Sequence, residues 1–144
     1  MINIIFNPAV QPHNQEFIRQ HLEPWLWLTP PWCHQIYINL WDSDADNPTL
    51  ADIAVHYEYR KMELSFYTCW LDRPEKERVR GVIHELIHGF IAIMADYARN
   101  TFDNLCPENE AEKFNKHLQQ ELQQRHEAAT EDLANVLYDK FVTV

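Results

Sequence analysis

Residues 82–90, Val82-Ile83-His84-Glu85-Leu86-Ile87-His88-Gly89-Phe90 (VIHELIHGF), place two histidines four apart, with a glutamate beside the first, inside an apolar run. Val79, Val82, Ile83, Leu86, Ile87, Phe90, Ile93, Met94 and Tyr97 recur at helical spacing. They form a face wider than a coiled-coil seam, which predicts a helix at the centre of the domain. Burying imidazoles and a carboxylate there costs several kcal/mol unless something pairs with them. At 100° per residue, His84 and His88 lie about 40° apart and one turn removed, so both rings can address one ion. Glu85 lies about 60° round from His88, beside such an ion without being its natural third ligand; a general base stands there. The helix therefore reads as buried on one side and lining a cleft on the other. A pair of hydrogen-bonded core histidines is the plainer alternative.

Two histidines leave zinc short of protein donors, because catalytic sites commonly use three. After His88 the chain continues Gly89-Phe90-Ile91-Ala92-Ile93-Met94, so a third histidine at the H-x-x-G-x-x-H spacing is excluded. A carboxylate from another helix is the remaining common solution. In HEAATEDLANVL (residues 126–137), Glu127 and Glu131 lie one turn apart at the edge of an apolar face containing Ala129, Leu133, Val136 and Leu137. Glu127 is the first choice as ligand, and Glu131 then accepts the outer N–H of a liganding histidine, which fixes ring tautomer and orientation. The two roles can be exchanged, and His126 and His117 are further candidates. An exposed helix-face charge is the ordinary explanation for either glutamate alone.

The remaining chain supplies a scaffold. An apolar start (Ile2, Ile4, Ile5, Phe6) precedes a helix expected over residues 15–22, ended with the help of Pro24 and the Pro30-Pro31 pair. Alternating runs at 35–41, 50–59 and 61–70 predict three strands and, together, a small, mostly antiparallel sheet. In the last run Met62, Leu64, Phe66, Thr68 and Trp70 share one face. Residues 42–48 (DSDADNP) read as a solvated acidic loop, since the glycine and terminal glutamate of a calcium-binding EF-hand loop are missing. Asp72 and Glu75 form a capping-box-like start, with Pro74 tolerable in the first turn, for a central helix running to about residue 98. Residues 111–141 are helical without breakers, as one helix or two, with Phe114, Leu118, Leu122, Leu133, Val136, Leu137 and Phe141 on the expected buried side. The whole, residues 1–144, reads as one α+β domain in which sheet and C-terminal helix pack on the central helix.

Composition narrows the function. A chain of 144 residues can bury a core without staples. A formal charge of -10 argues against a phosphate-binding surface, so nucleic acid is not an expected partner. Neither a leader sequence nor an apolar run of about 18 residues is visible, which points to the cytoplasm and away from membranes. Cys33, Cys69 and Cys106 are odd in number and widely spaced, as expected of reduced, buried thiols. With glycine at 81 and 89 alone, Gly-rich phosphate loops and dinucleotide fingerprints are excluded.

VIHELIHGF resembles the active-site helix of zincin metallopeptidases, and Glu127-Ala-Ala-Thr-Glu131-Asp-Leu-Ala resembles the downstream helix of their glutamate-liganded, gluzincin-like branch. In size and order of parts the chain is similar to small HExxH proteins of bacteria, phages and prophages. The likeness is specific over residues 82–90, is a matching order of parts from Leu50 to Phe141, and does not extend to the first 49 residues. It implies a minimal zincin-like fold, Zn²⁺ held by His84, His88 and Glu127, and Glu85 taking a proton from metal-activated water for attack on a peptide carbonyl. A peptide or protein is then the substrate, aligned along a sheet edge expected at Lys61–Tyr67. For an oxyanion donor, Tyr97, Tyr138, His117 and His126 stay equal candidates. A zincin-like zinc-binding regulatory or interaction module without peptidase activity is the alternative, and a metal-free structural domain is a third.

Overall fold

The computed structural model describes residues 2–44, 49–105 and 108–142, with the backbone course alone at 94, 95, 99, 101–105 and 108–119. In chain order the elements are β1 (Asn3–Phe6), α1 (Pro12–Leu22), a 3₁₀ segment (Glu23–Leu28), β2 (Gln35–Trp41), β3 (Ala51–His56), a 3₁₀ turn (Tyr57–Tyr59), β4 (Lys61–Tyr67), α2 (Thr68–Leu71), α3 (Glu75–Leu105) and α4 (Glu108–Val142). The broad α+β expectation agrees with this arrangement of a four-stranded sheet and helices.

The sheet order is β1-β2-β4-β3, and it is mixed rather than mostly antiparallel. β1 with β2 and β2 with β4 are parallel, and only β3 with β4 is antiparallel. Connections explain the difference. Helix α1 carries the chain back along the sheet between β1 and β2, which makes that pair parallel. After β2 the chain passes over one strand position, forms β3 at the edge, and turns back through Tyr57–Tyr59 so that β4 fills the gap. Arg60 closes this hairpin in the left-handed region, at φ 53°. Lys61–Tyr67 is therefore an interior strand, paired on both sides, and not the expected sheet edge. The edge beside it is β3.

Alternation along the strands divides the faces. Ile36 opposes Met62, which opposes Val55, while Ile38, Leu64 and Ile53 form a second cross-strand row. These rows join Phe66, Ile18 and Leu22 of α1, Val82, Ile83, Leu86 and Ile87 of α3, and Ala134 and Tyr138 of α4 in one core. Several runs stop earlier than their patterns suggest. The strand expected over 61–70 is β4 and ends at Tyr67, and Trp70 is buried from the helical turn α2, its ring 4.4 Å from Phe66. Arg78 ties α1, α2 and α3 together: its Nε donates to His21 Nε2 at 3.1 Å, and its guanidinium lies over the Phe17 ring. It also donates to the carbonyls of Leu71 and Arg73.

Helix α1 begins at Pro12, three residues before the expected start, because proline is well suited to a first helical turn. Helix α3 begins after Pro74, whose carbonyl accepts from Glu77 and Arg78, so Asp72 does not act as the cap. It continues to Leu105, and α4 is one helix. The buried side of α4 is not the expected one. Thr130, Ala134 and Tyr138 are buried, Leu137 is partly buried, and Leu122, Leu133, Val136 and Phe141 are exposed. Residues 130, 134 and 138 follow at i, i+4, i+8, and two of them are small, so the helix packs through its narrow stripe. Phe90 on α3 is likewise 45% exposed. Phe114, Leu118, Met94 and Cys106 lie outside the residues whose side chains are described; Cys33 is buried and Cys69 half-buried, both as free thiols. Among the described residues no helix is long and apolar enough to cross a membrane.

Gly89 explains how α3 comes to lie so low on the sheet. A Cβ there would stand 2.6 Å from the Sδ of fully buried Met62, whereas one at Gly81 meets nothing closer than Trp70 Nε1 at 3.7 Å. Gly81→Ala should therefore gain up to about 1 kcal/mol from helix propensity. Gly89→Val should lose about 1–3 kcal/mol to overpacking, both read from urea unfolding of the metal-free chain.

Candidate metal centre

Helix α3 is held by its apolar side, and its other side faces a cleft of about 510 Å³ between β3, α3 and α4. Ala51, Asp52, Ile53 and Val55 line it from the edge strand; His84, Glu85, His88, Ala92 and Asp96 line it from α3; His126 and Glu127 close it from α4. Of the residues singled out in the sequence, His84, His88 and Glu127 converge, and each offers one donor atom within 4.8 Å of the other two. His84 Nε2 and His88 Nε2 are 2.9 Å apart, and Glu127 Oε2 is 3.5 and 3.4 Å from them. Donors on a tetrahedral zinc at about 2.0–2.1 Å stand roughly 3.3 Å from one another, so the triangle matches that geometry without rearrangement of the backbone. The set could hold a metal ion.

The outer ring nitrogens are also engaged. His84 Nδ1 lies 3.2 Å from Glu131 Oε2, and Glu131 Oε1 accepts from Arg80 Nη2 at 2.7 Å. Glu127 and Glu131 are thus differentiated, the first toward the inner nitrogens and the second behind one ring. His88 Nδ1 lies 3.0 Å from His126 Nε2. His126 had appeared in the sequence as a candidate oxyanion donor, yet it stands behind His88. The adjacent Thr130 donates to the His126 carbonyl at 2.8 Å, which satisfies its own buried hydroxyl within the helix. Arg80 and the backing role of His126 were missed in the sequence. One signal was available: Arg80 precedes His84 by one turn, so both can meet a single carboxylate from a neighbouring helix.

Tyr97 is 73% exposed and Tyr138 is buried beneath Lys76; neither lines the cleft. The His117 side chain lies outside the described residues.

Burial acts on the cleft's two central groups in opposite directions. Glu85 is 9% exposed, and desolvation, helped by the charges of Asp52 and Glu127, pushes its carboxyl up to about 8. Desolvation brings His88 down to about 4, against the pull of Glu127. Both groups are thereby held toward their neutral forms. For the imidazole this is the form that binds metals.

No protein-family model, curated protein or solved structure matches the chain.

The two shifts give a pH dependence whose sign can be worked out. Between about 4.5 and 8 the folded chain holds the Glu85 proton more tightly than the unfolded chain, so this group's contribution to stability falls as pH rises. Between about 4 and 6.5 His88 works the other way, since the unfolded chain holds more protons. The two oppose each other below 6.5, and Glu85 alone remains above it. Metal-free protein in chelator should therefore lose at most about 2 kcal/mol of stability between pH 6.5 and 8. Glu85→Gln should flatten that slope in denaturant melts.

Proposed function

We propose that this chain is a zinc-dependent metallopeptidase of minimal zincin-like fold, hydrolysing a peptide bond in a peptide or protein substrate. The observation that carries the reading is the convergence of His84 Nε2, His88 Nε2 and Glu127 Oε2 in a cleft that also contains the buried carboxyl of Glu85. Two nitrogens and one carboxylate oxygen form a donor set suited to catalytic zinc with a coordination position left open. Zinc bound there supplies Lewis acidity toward the substrate carbonyl and an acidified water.

The protein's own groups have distinct tasks. His84 and His88 present their Nε2 lone pairs from successive turns of α3, and Glu127 reaches across from α4. Glu85 takes a proton from the attacking water and returns it to the departing amine, so that amide and water become acid and amine. A nearby dication favours its ionised form, reversing the effect of burial. Strand β3 is paired with β4 on one side only among the described residues, and its residues line the cleft. An extended peptide can add to that edge through main-chain hydrogen bonds, which holds its scissile bond beside α3.

Elemental analysis of dialysed protein should find one zinc per chain, and His84→Ala, His88→Ala and Glu127→Gln should each lose it. Glu85→Gln should keep the zinc and lower turnover on a peptide library by about 10²–10⁴-fold. Retained zinc with no turnover in either wild type or Glu85→Gln would replace the peptidase with a zinc-binding interaction module. Absence of zinc would leave a metal-free structural domain.

A further inference from the structure

Glu127 and Glu131 are the same residue type, one turn apart on the same helix, and both carboxylates are about half exposed. Either could swing toward the two imidazoles on chemistry alone. What separates them is a third residue. Arg80 Nη2 donates to Glu131 Oε1 at 2.7 Å, while Glu131 Oε2 stays 3.2 Å from His84 Nδ1. Asn135 Nδ2 adds a longer contact to Oε1 from the next turn of α4. Both oxygens of Glu131 are thus engaged, and moving it to the inner nitrogens would break a charge-assisted hydrogen bond. Among the described residues no cation restrains Glu127 in a comparable way: its Oε2 faces His84 Nε2 and His88 Nε2.

We propose that Arg80 is a positioning residue for the metal centre: it commits Glu131 to the outer nitrogen of His84 and so reserves the third ligand position for Glu127. The inference rests on the metal-centre reading above and adds a residue that touches neither metal nor substrate. Arg80 and His84 are one turn apart on α3, so the Arg80–Glu131–His84 bracket closes α4 against the helix that carries both imidazoles. An ion pair this open to solvent contributes little to folding. Its effect is therefore on the orientation of the His84 ring and on which glutamate is available.

The sign of the effect distinguishes this from plain electrostatics. Removing a cation from the neighbourhood of a dication should tighten metal binding. Removing a positioning residue should weaken it. The full chain, stripped of metal, is titrated with Zn²⁺ alone against a chromophoric chelator, and its Co²⁺ form is examined by absorption. Arg80→Met should bind zinc about 10- to 100-fold more weakly than wild type, with an altered cobalt spectrum and little change in metal-free melting. Arg80→Lys, which keeps the charge without the planar fork, should fall between. In a Glu131→Gln background, Arg80→Met should have no further effect. Arg80→Gln replaces the methionine variant if the latter does not fold.

Equal or tighter zinc binding by Arg80→Met, or an undiminished loss in the Glu131→Gln background, overturns the proposal while leaving the metal centre standing. A wild-type chain that takes up no zinc overturns the metal centre itself, and this inference with it.

Discussion

The close approach of α4 to α3 is the constraint on which the site depends. Thr130 and Ala134, with 0% and 1% of their surface exposed, are the buried residues of α4 one and two turns beyond His126. Their small size lets the helix backbone come near α3, and it is that proximity which brings a glutamate oxygen to within 3.5 Å of two imidazoles. Helix packing of this kind is decided by side-chain volume at the contact. The polar groups at the seam form one continuous set of contacts: the partly buried His84, His88 and His126 meet the half-exposed carboxylates of Glu127 and Glu131, and Glu131 meets Arg80.

The sheet contributes position more than chemistry. Gly89 allows α3 to sit against Met62, and Val82, Ile83, Leu86 and Ile87 hold it there, so that His84, Glu85 and His88 face along the seam and toward β3. Because the fourth strand enters between the second and third, the last strand pairing is antiparallel and β3 is left at the edge. The cleft consequently has one wall made of main chain whose outer side is unpaired among the described residues, and two walls of helix. Glu85 sits deep in this enclosure, where solvent is too scarce to stabilise its charge. A cation at the converging donors would change that balance in favour of the ionised Glu85 carboxylate.

The outer surface of α4 shows where periodicity misleads. Leu133, Val136 and Phe141 obey a helical spacing, yet they face outward, and Phe141 packs edge-on against exposed Trp27. The pattern makes the stripe of larger apolar residues the expected buried side, whereas the stripe used is the one containing Thr130 and Ala134. Both stripes are compatible with the pattern. The stripe used is the one whose small residues, Thr130 and Ala134, let the two helices approach closely.

The sequence by itself determined what is local. Four-residue spacing on a helix makes His84 and His88 neighbours with any surroundings, and the apolar positions around them require that helix to be buried. Strand alternation located β2 and β4 to within a few residues. What only the tertiary structure decided is everything that joins segments distant along the chain: the parallel pairings, the interior place of Lys61–Tyr67, the buried side of α4, and the separation of Glu127 from Glu131. These depend on connection geometry and on side-chain volumes meeting across a contact, quantities that a one-dimensional pattern does not contain. Arg80 belongs to this second group, since an arginine on a helix surface gains its role from a carboxylate 51 positions away.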